Sequence, residues 1–208
     1  MARFAFALAI AALVAILPAE APADDHELEV GGRMFAREIT LEHDGTSYDM
    51  VATGSHKRKK FFFSVYAAVA YAEASVFDGP VDEDTDAGAI ALESSKPLRM
   101  HLKMLRGLDS SKITNGINEA LEKTAVRPIE EIADERERFV ELFDGELDED
   151  QSLVMTWWPG EGLEIAMDDE VLDTIAGDAF ARAFFEIYFG PEPVDDGMKE
   201  DLLDAVVE

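Results

Sequence analysis

A run of four consecutive basic residues is the strongest chemical signal in this chain. His56 precedes Lys57, Arg58, Lys59 and Lys60, and three phenylalanines follow. Because the protein has 45 acidic and 18 basic residues, with a formal net charge of −27, such a positive cluster needs an explanation. An arginine offers a planar, permanently charged fork of donors that matches a carboxylate group. The apolar residues beyond it could receive a hydrocarbon tail, so the pattern favours a site for an amphipathic carboxylate.

The segment that would position these groups is predicted to be one long β-strand from Lys59 to Glu73. Successive side chains of a strand point to opposite faces, so every second residue shares a face. The candidate ligand-binding residues on one face are Arg58, Lys60, Phe62, Ser64 and Tyr66. The other face, which includes Phe61 and Phe63, is predicted to be core. Eight residues of straight strand span about 26 Å at about 3.3 Å each, so Arg58 and Tyr66 would flank a long chain. The alternative is that the basic run only keeps a turn soluble beside an apolar strand.

Other kinds of site have little support in the sequence. The four histidines, which are His26, His43, His56 and His101, lack the paired spacing of metal ligands, so no metal site is predicted. The chain has no cysteine, which excludes thiol catalysis and cysteine-ligated metals. It contains neither a glycine-rich phosphate loop nor a serine hydrolase motif. We therefore predict no cofactor and assign no catalytic residue.

The acidity of the chain limits the partners that we expect. With an isoelectric point of about 4.3, the protein is not expected to bind nucleic acid or anionic membrane surfaces. The acidic residues are spread over the predicted helices and loops, which is typical of a solvated surface. Salt would screen the repulsion between them, so stability is predicted to rise with ionic strength.

Residues 1–23 have the composition of a secretory signal. Arg3 supplies a positive start, Phe4 to Leu17 are apolar, and Ala21–Ala23 fits a small-residue cleavage pattern. Cleavage would leave one domain, residues 24–208, in the periplasm or otherwise secreted. No later segment is long enough to cross a membrane, so no membrane span is expected after cleavage. An uncleaved N-terminal anchor is the alternative.

Hydrophobic periodicity divides the rest of the chain into strands and helices. Further strands are predicted at Leu28–Val30, Phe35–Glu42, Tyr48–Thr53, Leu98–Leu105, Leu153–Trp158, Leu163–Met167 and Val171–Ile175. Helices are predicted from Asp109 or Ser110 to about Thr124, from Pro128, from Gly177 or Asp178 to about Phe189, and from Asp195 or Asp196. This order of strands, helices, strands and helices predicts one α+β domain with an antiparallel sheet.

Four local patterns occur in order along the chain. They are Gly54 with Arg58–Tyr66 and Tyr71, Leu98–Leu102 with Ser110–Lys112, Trp158–Gly162 with Val171–Ile175, and Phe180–Gly190 with Pro193–Asp195. Together they resemble the bacterial branch of the chalcone isomerase-like family, over nearly all of residues 24–208. The resemblance implies an open-faced β-sandwich, in which a layer of helices covers a large antiparallel sheet.

The family resemblance implies one of two activities. Some members close a chalcone to a flavanone, and others bind fatty acids and are not known for catalysis. In both groups an arginine near the start of the long strand meets the anionic group of the ligand. The matching residue here is Arg58, with Lys57 as the alternative.

The other positions of the isomerase site differ from the family pattern. Tyr66 stands where the plant enzymes have a threonine, and Ile187 falls near the position of a second threonine. The plant enzymes also use a tyrosine and an asparagine on a helix, whereas Ser110–Glu119 contains no tyrosine. Asn115 and Asn118 are near the asparagine position but out of register.

Three hypotheses follow from these observations. The first is an exported, non-catalytic protein that binds a fatty acid or similar amphipathic carboxylate in a cleft between sheet and helices. The second is an intramolecular lyase or isomerase acting on a conjugated substrate, in which Arg58 steadies a developing anion and Tyr66 relays a proton. The third is a structural or interaction module with a closed core and no ligand.

Overall fold

The computed structural model of the protein describes residues 26–82, 84–124, 126–168 and 170–207. The predicted secretory signal at residues 1–23 lies outside the described residues. The strands are β1 Glu27–Val30, β2 Arg33–Ala36, β3 Glu38–His43, β4 Thr46–Lys60, β5 Phe63–Glu73, β6 Leu98–Met104, β7 Leu108–Asp109, β8 Glu146–Leu147, β9 Ser152–Trp158, β10 Gly162–Met167 and β11 Glu170–Ala176. The helices are α1 Ala87–Glu93, α2 Ser111–Thr124, α3 Ala133–Glu141, α4 Asp178–Phe189 and α5 Asp196–Leu203, with short 3₁₀ turns at Ala74–Phe77 and Ile129–Ile132.

Seven of the strands form one antiparallel sheet in the order β11-β10-β9-β6-β5-β4-β3. The strands β3 to β6 follow one another as a meander, and β9 to β11 form a second meander that joins it where β6 pairs with β9. Helices α2 and α3 lie in the connection between β6 and β9. The predicted α+β class, with a large antiparallel sheet and a layer of helices, is confirmed.

The sheet separates two hydrophobic cores. Alternation along β5 sends Ala68 and Ala70 to the larger core, where the small side chains allow the helices to approach the sheet. Val69 and Tyr71 point to the smaller core, which the β1–β2 hairpin covers. One face of the sheet therefore carries the helix layer, and only part of the other face is covered.

The helix layer is organised around α4, which is buried over most of its length. Its buried residues are Phe180, Ala181, Ala183, Phe184, Phe185, Glu186, Ile187, Tyr188 and Phe189. The amphipathic helix α2 contacts α4, and its buried face includes Ile113, Ile117 and Leu121. Helix α5 lies across β4 at Gly54, where an added Cβ would overlap backbone atoms of Asp201. Among the described residues, no helix has the length and apolar composition needed to cross a membrane.

The prediction of one strand from Lys59 to Glu73 is wrong. The chain reverses at a two-residue turn, Phe61–Phe62, so the basic run ends β4 and the apolar run forms β5. The predicted shared face of the five candidate residues is therefore also wrong. Phe61 and Phe63 are 88 % and 61 % exposed and are not core.

Candidate functional site

The β4–β5 hairpin brings Arg58 and Tyr66 together. Arg58 is the register partner of Tyr66, and Lys60 pairs with Phe63 next to the turn. Directly opposite residues of antiparallel strands have Cβ atoms about 4.5–5.5 Å apart. Arg58 and Tyr66 would be about 26 Å apart along a straight strand, whereas the hairpin places them directly opposite each other.

The guanidinium of Arg58 is oriented by the start of helix α5. Its Nη1 donates a hydrogen bond of 3.0 Å to Oδ2 of Asp195. The other oxygen of Asp195 caps the helix, because Oδ1 accepts the backbone N–H of Met198 at 3.1 Å. The Arg58 side chain remains 35 % exposed. Since a guanidinium has five N–H donors, Arg58 can bind a second anion while Asp195 holds it in place.

Two tyrosines lie beside this ion pair. Tyr66 on β5 is partly buried, and Tyr188 near the end of α4 is 4 % exposed. Burial raises the pKa of Tyr66, although the positive charge of Arg58 and a hydrogen bond with Tyr188 act in the opposite direction. Burial also raises the pKa of Tyr188 well above its usual value. Both phenols therefore stay protonated at neutral pH and can donate hydrogen bonds.

A cavity of about 480 Å³ opens between the end of the β4–β5 hairpin and helices α2, α4 and α5. Its apolar lining comes from Phe61, Phe63, Val65, Leu102, Leu108, Ile113, Ile117, Ala120, Ile187, Val194 and Met198. The two tyrosines and Arg58 also line it, and the exposed residues Lys60 and Phe61 form part of its rim. The cavity is thus apolar over most of its wall and polar at Arg58.

The lining carries positive charge in a strongly acidic protein. The five basic side chains are Arg58, Lys60, Arg106, Lys112 and Lys123, and the one acidic side chain is Glu119. The guanidinium of Arg106 lies 5.0 Å from the centre of the Phe63 ring, within the range of a cation–π interaction. Low-dielectric walls and charges of one sign attract ions of the other sign, so the cavity is suited to an anion.

Sequence and structure comparisons agree with this architecture. A model of the family described as chalcone isomerase-like matches residues 27–204. The chain belongs to this family. Its fold is similar to the crystal structure of a fatty-acid binding protein from Arabidopsis thaliana, with a TM-score of 0.64 and 18 % sequence identity over 81 % of this chain and 97 % of that chain. A comparison with curated protein sequences gave no match.

Several residues of the family-like patterns hold the fold together rather than line the cavity. Arg182 pairs with Glu186 at 3.0 Å and with Glu93 at 2.7 Å, which ties α4 to α1. The ring of Trp158 stacks on His43, with centroids 3.9 Å apart. These contacts explain the two patterns around Trp158 and Arg182 as packing requirements of the sheet and the helix layer.

The predicted ligand-binding residues separate into two groups. Arg58, Lys60 and Tyr66 line the cavity, whereas Phe62 and Ser64 are not part of its lining. Phe62 is 98 % exposed at the tip of the hairpin. Lys57, the alternative partner for an anionic group, is also outside the lining. Arg58 is therefore the better placed of the two matches to the family arginine.

Sequence reasoning missed Asp195, Tyr188 and the basic residues outside the β4–β5 hairpin. Asp195 was expected only to start a helix, and nothing in its local sequence indicates an ion pair with a residue 137 positions away. The rarity of basic residues was a usable signal, because Arg106 and Lys112 stand out in an acidic chain just as Arg58 does. Their convergence on one cavity depends on the fold.

Two further groups, the cluster around His43 and the side chain of His101, are accounted for by their structural surroundings. His43, Asp44 and Glu161 have ligand atoms within 4.8 Å of one another, as a cation site would require. However, Nε2 of His43 lies 2.9 Å from Oε2 of Glu161 and the ring stacks on a tryptophan, so these contacts account for the cluster. Burial, followed by the charges of Lys103 and Arg99, lowers the pKa of His101 to about 4. His101 is therefore neutral at physiological pH and is a poor candidate for an anion-binding group.

Proposed function

We propose that the protein binds a fatty acid or a similar amphipathic carboxylate in the cavity beside Arg58. The carboxylate would contact Arg58 near the rim, and the hydrocarbon chain would lie against apolar residues such as Ile113 and Ile117. The observation that carries this proposal is an apolar cavity bordered by five basic side chains in a protein of net charge −27.

The dimensions of the cavity suit such a ligand. Small-molecule sites commonly enclose about 300–1,000 Å³, a range that includes this cavity of about 480 Å³. Each buried methylene contributes roughly 0.8 kcal/mol, so an acyl chain could bind with few polar contacts besides the head group. The fold shared with the plant fatty-acid binding protein supports the proposal in general terms.

The cavity also bears on the hypothesis of a closed structural module. Such a module would fill the space between sheet and helices, whereas here the space opens next to Arg58. We therefore favour ligand binding over a role without a ligand.

Export to the periplasm, and membership of the bacterial branch of the family, are further parts of the proposal. They rest on the composition of residues 1–23 and on the four sequence patterns. Export would bring the protein to a compartment where a carrier could move lipids between surfaces. Recovery from the periplasm with an intact mass that begins at Asp24 would support export, and a full-length cytoplasmic product would contradict it.

The first test is native mass spectrometry with lipid extraction on the purified protein and on Arg58→Ala. We expect a fatty acid to co-purify with the wild type, or to bind when added, and to be lost or weakened at least about tenfold in the variant, because a charge-assisted contact to the head group disappears. Absence of a ligand in the wild type, together with no uptake of added fatty acid, would contradict the proposal.

Lys59→Ala is the matched control for this experiment. Lys59 is the next residue on β4, carries the same charge and is exposed, but it does not line the cavity. A loss of the same size in both variants would indicate a general charge effect instead of a head-group contact. Gly116→Leu provides a second variant, because Gly116 lines the cavity and an added Cβ would meet no neighbouring atom within 4 Å. It should reduce the capacity for long acyl chains and leave Arg58 in place.

A second candidate function is the isomerase or lyase activity of the family. The observation that favours it is the pair of protonated phenols, Tyr66 and Tyr188, beside Arg58. Such phenols could donate a proton or hydrogen bonds to a developing anion, while Arg58 stabilises its charge. Turnover of a hydroxychalcone, monitored by absorbance and lost in Tyr66→Phe, would support catalysis. Absence of turnover above the uncatalysed rate would leave binding as the function.

A further inference from the structure

The β4–β5 hairpin extends beyond its neighbours in the sheet. On one side, the register of β6 with β5 ends at Tyr66, opposite Met104, and one further hydrogen bond of 2.9 Å runs from the N–H of Leu105 to the carbonyl of Val65. On the other side, the pairing of β3 with β4 ends at Val51. The final part of the hairpin, residues 59–64, therefore pairs only with itself and forms a projection, which we call the hairpin tip.

The hairpin tip presents three consecutive phenylalanines to solvent. Phe61, Phe62 and Phe63 are 88 %, 98 % and 61 % exposed. The other large apolar side chains exposed by more than a third in the described chain are isolated or paired, at Met34, Val126 and Val171–Leu172. An exposed group of large apolar side chains indicates an interaction surface.

The turn does not explain why these residues are phenylalanines. Two-residue hairpin turns favour Asn-Gly or Asp-Gly, because the backbone adopts positive φ angles that glycine and asparagine tolerate. Phe61 has a φ of 56°, which side chains with a large ring rarely adopt. Neither the turn geometry nor the core therefore requires Phe61 or Phe62. Phe61 borders the cavity, whereas Phe62 is not part of the cavity lining either.

The charge around the hairpin tip is opposite to that of the protein. No acidic residue occurs between Asp49 and Glu73, although the whole chain contains 45. Lys57, Lys59 and Lys60 are exposed next to the phenylalanines, and Arg106 lies beside Phe63. Exposed aromatic side chains bordered by basic residues match an anionic lipid surface, where rings enter the interface and cations meet head groups.

We propose that the hairpin tip docks the protein on an anionic lipid surface. Phe61 and Phe62 would enter the interface, and the neighbouring lysines would contact the head groups. The strong negative charge of the remaining surface would keep the rest of the molecule away from the lipid, so docking would occur in one orientation. Because Phe61, Phe63 and Lys60 also line the cavity, this orientation places the rim of the cavity against the lipid.

Docking at the hairpin tip would reverse the expectation, based on the acidity of the whole chain, that the protein does not bind anionic membrane surfaces. Docking does not itself require a fatty acid, but it would allow a bound acyl chain to pass between the cavity and a membrane without crossing water. That consequence rests on the proposed function. The docking test therefore uses vesicles that contain no free fatty acid. Failure of docking can then be distinguished from failure of fatty-acid binding.

The test is cosedimentation of the protein with vesicles of phosphatidylcholine containing phosphatidylglycerol, compared with vesicles of phosphatidylcholine alone. The variant Phe61→Asn/Phe62→Gly replaces the exposed rings by the residues that the turn prefers, so it should fold at least as well as the wild type. We expect the wild type to bind the anionic vesicles and the variant to bind at least about tenfold less. Binding should also decrease as salt rises from about 0.05 M to about 0.5 M.

The matched control is Val171→Ser/Leu172→Ser, which removes two exposed apolar side chains from β11 at the far edge of the sheet. It should bind vesicles like the wild type. Equal binding by the tip variant, absence of wild-type binding at low salt, or equal binding to neutral vesicles would overturn the proposal. A stable dimer that forms without lipid and depends on Phe61 and Phe62 would also overturn it in favour of a second copy of the chain. Phe62→Gly alone, which changes no residue of the cavity lining, should also bind less to vesicles but take up dissolved fatty acid like the wild type.

Discussion

At the scale of single residues, the unusual feature of the site is the ion pair between Asp195 and Arg58, the residue proposed to bind the carboxylate of the ligand. Asp195 occupies one donor of Arg58 at 3.0 Å, so a bound carboxylate would share the guanidinium with it or replace it. Asp195 therefore performs two opposed functions. It orients Arg58 and caps α5, but its negative charge repels an incoming carboxylate.

The variant Asp195→Asn separates these two functions. Asparagine is an equally good helix cap, so α5 should remain stable, while the competing charge disappears. The ion pair is partly exposed, with both side chains more than a third accessible, so its effect is modest. We expect the affinity for a fatty acid to rise roughly two- to fivefold, measured by isothermal titration calorimetry. Asp196→Asn, one residue along, changes the net charge equally and should have little effect. A weaker affinity in Asp195→Asn would show that orientation of Arg58 matters more than repulsion.

At the scale of secondary-structure elements, the site depends on the contact between β4 and α5. The two elements approach so closely at Gly54 that a Cβ there would overlap backbone atoms of Asp201 and Leu202. The hydroxyl of Thr53 donates to the carbonyl of Leu202 at 2.8 Å and fixes the same contact. Since α5 carries Asp195 at its start, the position of the helix controls the position of Arg58.

Gly54→Ala should displace α5 and destabilise the protein. Overpacking of a tight contact costs roughly 1–3 kcal/mol, which urea unfolding monitored by circular dichroism would detect. Fatty-acid binding should weaken as well, because Asp195 moves with the helix. Gly79→Ala is the control, since an added Cβ at Gly79 would meet no atom within 4 Å. Equal stability of the two variants would show that α5 can shift at little cost.

Most of the secondary-structure elements, but not the turn between β4 and β5, could be predicted from the sequence. Periodicity located most strands and helices, and Asp44-Gly45 predicted a hairpin correctly because this dipeptide suits positive φ angles. The β4–β5 turn was missed because Phe61–Phe62 has no turn signal and the apolar pattern continues through it. A local pattern cannot show that Arg58 pairs with Tyr66 across a reversal of the chain. Arg58 was nevertheless identified from its type and charge context, whereas Tyr188 and Asp195 reach the site only through the packing of α4 and α5.

At the scale of the whole molecule, charge is distributed unevenly. Five of the 18 basic residues line one cavity, and the segment between Asp49 and Glu73 has no acidic residue. Most of the remaining surface must then carry the excess of acidic side chains. The acidic side chains over most of the surface repel one another, whereas the basic side chains at the cavity and the hairpin tip attract anions.

This distribution predicts that salt acts in opposite directions on stability and on docking. Screening of the acidic surface should raise the free energy of unfolding, measured in urea, as salt increases from about 0.1 M to about 1 M and the Debye length falls from about 10 Å to about 3 Å. Sodium chloride and potassium chloride should act alike, because screening depends on ionic strength, whereas sulfate would add a separate stabilisation by exclusion from the surface. A flat or falling free energy of unfolding would mean that the acidic side chains are too far apart to repel one another.

Loss of vesicle binding over the range of salt in which stability rises would distinguish attraction at the hairpin tip from repulsion over the rest of the surface. If both quantities fell together, unfolding would explain the loss of binding, and the hairpin tip would no longer be needed to account for it.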